Sequence, residues 1–361
     1  MSFVLEELGL AYRKAKVNLF YSSSPDLLAI AAYEEHLSEN LNALLILLNG
    51  SNLKWVEQTT FIGGWTFATK SVTWADRKEL RKKNGTGLIF SSPEEDWDRT
   101  YELLSETEEY SKPNAEFRLM AQCSIDFHVL SALWLLKVGH QYDAKLSKCA
   151  YGNRLRRTQD GKNINPLSLG SFVPYLTPFR NWRDNGISSM RAALDDGKKV
   201  VALTADVSSF YHELKPSFML ESSFLHDVLS LELTETEKKL NRLFIKALEA
   251  WAATTPLKKG LPVGLPASAV VANMALIELD RVIEQQVIPL YYGRYVDDIL
   301  LVMENGAHFR STDELWDWLF ERSDEKLAWD GKGESKRIIF QPSYFKSGKK
   351  QKSDMFCQCK E

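Results

Sequence analysis

Cysteine is scarce: four in 361 residues, at positions 123, 149, 357 and 359. None is spaced as a paired zinc knuckle, and Cys357-Gln358-Cys359 stands alone near the C-terminus. This argues against a disulfide scaffold and predicts reduced thiols in a cytoplasmic protein. The opening Met-Ser-Phe-Val-Leu-Glu-Glu carries acids where a signal peptide carries bases. Apolar runs are too short and too often interrupted to span a bilayer, so no membrane partner is expected. Bulk positive charge is missing too, the formal net charge being −3. That does not exclude a polyanionic ligand, because a basic cleft and acidic outer helices cancel in the sum. There is no internal repeat and no low-complexity tract. What the chain does have is 44% apolar residues, enough for one or two cores. Ten Trp and 18 Phe suit stacking surfaces and large cores alike.

The first half reads as helical. Ser24-Pro25-Asp26 opens a helix whose apolar spacing runs from Leu27 to Leu48 and stops at Gly50. Lys54 to Trp74, rich in Trp, Thr and Phe, looks extended. Ser92 and Glu95 form a capping-box pattern, and 115–138 is expected to be one long helix ending at Gly139. The stretch from Tyr151 to Pro178 is broken by Gly, Pro and Asn and reads as loop or short strands. From Lys199 to Ala205 a β-branched and apolar run predicts a buried strand ending at Asp206. Helices are expected over 235–251, 268–287 and 313–328, with a last strand at 337–340. Tyr291–Val296 and Ile299–Met303 are two short strands flanking Asp297-Asp298.

Three pieces carry chemistry together. A buried strand delivers Asp206. The loop Gly260-Leu-Pro-Val-Gly264-Leu-Pro-Ala-Ser268 leads into a helix. Tyr295-Val296-Asp297-Asp298 reads as a hairpin with two acids at its tip. Taken singly, each has an ordinary explanation: Asp favours turns and caps, and Gly/Pro loops connect elements. In this order they match the needs of phosphoryl transfer from a nucleoside triphosphate. That reaction uses two divalent cations, one activating the attacking hydroxyl and one stabilising the leaving oxygen. Mg2+ demands hard oxygen ligands, which the carboxylates supply, and three such acids would repel one another without it.

Segments 206–211, 260–268 and 294–298 resemble motifs A, B and C of the reverse-transcriptase palm, with Arg294-Tyr-Val-Asp-Asp298 the most specific match. The resemblance covers roughly residues 150–340 and implies an α+β right-hand fold, a palm of antiparallel sheet and helices with fingers. It suggests a mostly helical N-terminal region at 1–145, divergent fingers at 146–198, a palm at 199–345 and a basic tail at 346–361. No full thumb is evident. It further implies that Asp206 and Asp297 bind two Mg2+ ions, with Mn2+ as a substitute, and that Asp298 is a supporting acid. Val207, Ser208, Ser209, Phe210 and Tyr211 would line the nucleotide. Tyr211, five residues after Asp206, would be the steric gate against a ribose 2′-hydroxyl. Gly264, Pro266 and Ser268 match the loop that contacts the incoming sugar and templating base. One departure is Val263, where family members commonly carry Gln.

Gly-Leu-Pro-Ala-Ser in motif B, with Leu279-Asp280 at the end of its helix, looks like the bacterial abortive-infection and defence-associated reverse transcriptases. Members of that branch act against phage, often with a noncoding RNA, a partner protein such as a second reverse transcriptase, or self-association, and some prime on a protein hydroxyl. Arg154, Arg180 or Arg183 is expected to grip the triphosphate, and Lys336 stands where a general acid toward pyrophosphate could sit. Ordinary surface charge is the competing explanation for each. Lys82-Lys83 and the tail lysines 346, 349, 350 and 352 read as solvated, and His128 as a core histidine. A retired scaffold that binds RNA or a partner polymerase is the alternative function, mildly favoured by Val263. An RNA-synthesising polymerase shares the acids, but Tyr211 argues against it.

Overall fold

The computed structural model describes residues 2–22, 25–73, 114–331, 337–345 and 355–359. The capping box at Ser92, Lys82-Lys83, Lys336 and the tail lysines lie outside these residues. The chain divides into two compact units, Met1–Gly64 with Ala121–Glu361, and Trp65–Met120.

The smaller unit carries most of a two-stranded sheet made from β1 (Gly64–Thr73) and β2 (Asn114–Gln122). Trp65, Phe67 and Phe117 meet edge-on along it, with centroids 5.4 and 6.2 Å apart. The long helix expected from residue 115 is therefore a strand for its first third. Pairing with β1 satisfies the backbone of 114–122 and overrides the local apolar periodicity.

The larger unit begins with α1 (Leu5–Phe20), α2 (Leu27–Glu35) and α3 (Leu37–Asn49). The Asp26 carboxylate caps α2 by accepting from the Ala29 amide at 2.9 Å. The expected single helix breaks at His36 and ends at Gly50 as its pattern indicates. Helix α4 (Ile125–Trp134) is capped by Ser124, which accepts from Phe127 N at 3.1 Å. It packs between α1 and α6 (Glu235–Thr254), a helix with a full Thr234–Glu237 capping box. The α6 residues Leu240, Leu243, Phe244, Ala247, Leu248 and Trp251 form a buried stripe at helical spacing. At its centre Trp134 stacks on Phe244, 4.7 Å between centroids, and donates to Asn241 at 2.9 Å. Asn241 in turn donates to Tyr142 and to the Met219 carbonyl, both at 3.1 Å, so this buried polar set is paired internally.

A six-stranded sheet forms the other half, in the order β4-β5-β3-β8-β7-β6. Its strands are β3 (Val200–Ser208), β4 (Tyr291–Tyr295), β5 (Asp298–Glu304), β6 (Leu327–Asp330), β7 (Arg337–Phe340) and β8 (Met355–Cys359). All its pairings are antiparallel. One face is apolar: Leu203, Val207, Tyr292, Ile299, Leu301 and Ile338 meet α7 (Ser268–Ala275), α8 (Ile277–Val282) and α9 (Thr312–Glu321) around Leu276, Leu279, Trp316 and Leu319. Across the other face lies α5 (Leu176–Asp195), against β4, β5 and β3. Its close approach needs Gly186, whose missing side chain leaves room for Leu300.

Two expectations are corrected here. Residues 355–359 are not part of a basic tail but a strand inserted between β3 and β7, which satisfies edges that both strands would otherwise expose. The last helix ends at Glu321 rather than near 328, and 327–330 turn back as β6. Beyond β5 the described residues hold one α-helix of more than a single turn and three strands, with no helical thumb.

Candidate active site

The site is built from the ends of β3 and the β4–β5 hairpin. Asp206 lies in register with Asp298. The neighbouring pair is joined by Val207 N donating to the Asp297 carbonyl at 3.2 Å, so 206–298 falls at a non-hydrogen-bonded position. Such pairs have Cα atoms about 4.5 Å apart, with side chains on one face. Ala205 and Ile299, one residue away, are buried on the apolar face, so Asp206 and Asp298 point to the opposite one. Asp206 and Asp297 are half-buried and Asp298 is exposed.

Tyr295 pairs with Asp298, leaving Val296-Asp297 as a two-residue turn. Val296 adopts φ +60, in the left-handed region that β-branched residues avoid. Tyr295 anchors the hairpin to α5 through Phe179, at 5.3 Å edge-on, and Trp182 at 6.1 Å. Tyr211 stands close to Asp297: burial first, then that carboxylate's charge, push its phenol up, and its hydroxyl bonds the side chain of Asn153. Ser209, at φ +52, turns the chain from β3 into the helical turn Phe210–Glu213. Val207 and Phe210 put their side chains into the core, whereas Ser208 is half-buried and Ser209 exposed.

The 260–268 loop closes onto this turn. Leu261 N donates to the Tyr211 carbonyl at 2.7 Å. A side chain at Gly260 (φ +100) would come within 2.8 Å of the His212 carbonyl. Gly264 (φ +109) is exposed, Pro266 is half-buried, and the Val263 carbonyl accepts from Ala121 N at 2.9 Å. Ser268 does not face open solvent; it is buried at the start of α7, and its Oγ has no hydrogen-bond partner among the described residues.

Arg154 is turned inward. Its Nε donates to Asp143 Oδ1 at 3.0 Å and its Nη1 to the Ser147 and Ala150 carbonyls at 2.9 Å, while Arg157 takes the other Asp143 oxygen at 2.9 Å. This geometry spends Arg154 on shaping the 143–157 loop. Arg183 bonds its neighbour Asp184, and Arg180 is exposed on α5. Sequence reasoning gave no site role to Asn153, Asn273 or Asp280, which meet the site from loop and helix. The sequence carried Asp280 only as part of Leu279-Asp280 at the end of the motif B helix, and Arg294 only as the first residue of Arg294-Tyr-Val-Asp-Asp298. Arg294 is fully buried on Asp280; burial works against its charge, but the adjacent carboxylate outweighs this and raises its pKa.

Among the described residues no three His, Cys, Asp or Glu side chains converge into a ready-made metal cage. The donor set still suits Mg2+, which is commonly bound by one or two carboxylates together with substrate phosphates and water. Like charges directly opposite destabilise a strand pair, and a divalent cation held by Asp206 and Asp297, with Asp298 beside them, would relieve that.

The family model for reverse transcriptase (RNA-dependent DNA polymerase) matches residues 110–325, more than half of the chain and all three motifs. The chain therefore belongs to the reverse-transcriptase family and is an RNA-directed DNA polymerase, a nucleotidyltransferase that acts on nucleic acid and deoxynucleoside triphosphates. No curated protein matches it. Enzymes of this family work with divalent metal ions such as Mg2+. No helix of the described residues is long and apolar enough to cross a membrane.

Proposed function

We propose that this chain transfers a deoxynucleotide to a 3′-hydroxyl, or to a protein hydroxyl, in bacterial defence against phage. Asp206 and Asp297 are the metal ligands and Asp298 the supporting acid. The observation that carries this is the register of Asp206 against Asp298, with Asp297 in the adjoining turn. Bound there, divalent cations would acidify the attacking hydroxyl and neutralise charge on the leaving pyrophosphate. The protein's own share is placement. The strand pair fixes two carboxylates on one face. Tyr211, held by Asn153 beside Asp297, fills the space that a 2′-hydroxyl would need. The backbone around Ser208 and Ser209, and the exposed Gly264, offer amides and close approach to the nucleotide.

The defence role, and with it dependence on a noncoding RNA, a partner protein or self-association, rests on the likeness of the motif B segment and the long N-terminal helical region to that branch. The retired-scaffold reading keeps one supporting feature, Val263, whose carbonyl is committed to Ala121. Labelled dNTP incorporation by wild type and by Asp297→Ala separates the two. Incorporation by wild type alone supports the enzyme, and equal signal from both refutes it. Sequencing the nucleic acid that co-purifies identifies the template, and plating of phage on cells carrying either form tests defence.

A further inference from the structure

We infer that Arg294, clamped by Asp280 and Asn273, is the positioning residue that aims the Asp297 carboxylate, and so controls metal affinity without touching metal. This rests on the two-metal reading above. The side chain is 0% exposed, and its three nitrogens are all spent on directional contacts. Nε and Nη2 meet the two Asp280 oxygens at 2.9 and 2.7 Å. Nη1 meets Asn273 Oδ1 at 2.9 Å and the Val296 carbonyl at 2.6 Å. That last bond grips the peptide between Val296 and Asp297, the hinge of the turn itself.

The turn needs gripping, because a valine at φ +60 reverts to extended backbone unless its surroundings over-determine it. A second support comes from the other side. Gly152 lies so close that a methyl group there would sit 2.7 Å from Val296 N and 2.8 Å from its Cγ2. The same cluster holds Gly152 in place, since Asn273 Nδ2 donates to the Gly152 carbonyl at 3.0 Å. Arg294 also bridges to that loop by its backbone, donating to the Cys149 carbonyl at 2.7 Å and accepting from Tyr151 N at 2.8 Å. Tyr292 adds a bond to Asp280 at 2.7 Å. One buried arginine, through its guanidinium and its backbone, thus joins α7, α8, the 149–153 loop and the hairpin. Apolar residues of equal volume would often stabilise a core as well as a buried ion pair does. They could not fix the orientation of a peptide plane, and that is what a metal-binding turn requires.

The test is Mn2+ binding followed by electron paramagnetic resonance on wild type, Arg294→Lys, Asn273→Ser and Asp206→Asn, each checked for cooperative melting. Lysine keeps the charge but cannot form the three-way fork; serine keeps the Arg294–Asp280 pair and serves if the lysine variant fails to fold. Removing partners that orient metal ligands typically weakens metal affinity by about 10–100-fold. We expect that loss in folded Arg294→Lys and Asn273→Ser, with the metal concentration for half-maximal incorporation rising in parallel and KM for dNTP nearly unchanged. Wild-type Mn2+ affinity in either folded variant overturns the inference, leaving the two-metal reading intact if Asp206→Asn alone loses binding. Absence of Mn2+ binding by wild type overturns both.

Discussion

The two faces of the central sheet differ in what their residues are for. On one, Leu203, Val207, Ile299 and Leu301 close onto α7, α8 and α9, and their only task is to be apolar and well packed. On the other, Asp206 and Asp298 face each other across the same two strands, a pair of like charges that folding alone would disfavour. Alternation along a strand lets one segment serve stability and chemistry at once, with each assigned to its own parity. Substitutions on the two faces should therefore be separable by what they damage.

The largest separation is expected at Asp206→Ala. Loss of one ligand removes several kcal/mol of transition-state stabilisation, on the order of a thousandfold in incorporation. The melting temperature should stay level or rise, because a repulsive pair is gone; a fall of many degrees would break the comparison. Leu301→Ala, at 2% exposure on the apolar face, should do the reverse. It is expected to cost about 2–5 kcal/mol in urea unfolding, with activity per folded molecule unchanged.

His128 belongs to neither face and reports on the helical core. Burial lowers its pKa to about 4, so the folded state holds it neutral where the unfolded chain takes up a proton. Its contribution is complete above the ordinary histidine value and is lost as pH falls toward 4, up to about 3 kcal/mol. His128→Leu should flatten that acid limb, as measured by urea midpoints between pH 7 and 4.5. The smallest expected effect is at Tyr211→Ala, where discrimination between dNTP and rNTP should fall by about 10–200-fold in competition assays. An unchanged ratio would remove Tyr211 from the gate.

Much of the site could be read from the sequence because its pieces are local. A β-branched run leading to Asp206, and an acid pair between two short apolar strands, announce themselves within ten residues. The structure forms both the strand and the hairpin, but carries the strand on to Ser208 and leaves only Asp297 in the turn, with Asp298 the first residue of β5. The helix α6 was legible over 235–251 for the same reason, although its Thr234 cap was not. What escaped notice depends on distant partners. Residues 114–122 become a strand only through β1, some forty residues earlier, and 355–359 enter the sheet only because β3 and β7 offer unpaired edges. Arg154 had the right charge for a triphosphate, but Asp143, eleven residues upstream, claims it. The clamp on Arg294 is invisible for the same cause, since Asn273 and Asp280 reach it through tertiary packing.

The most direct test is a crystal of the protein grown with Mn2+ and a non-hydrolysable deoxynucleotide analogue, read by anomalous diffraction. The account predicts manganese within about 2.0–2.2 Å of carboxylate oxygens of both Asp206 and Asp297. Manganese bound elsewhere, with those two carboxylates uncoordinated, would contradict it.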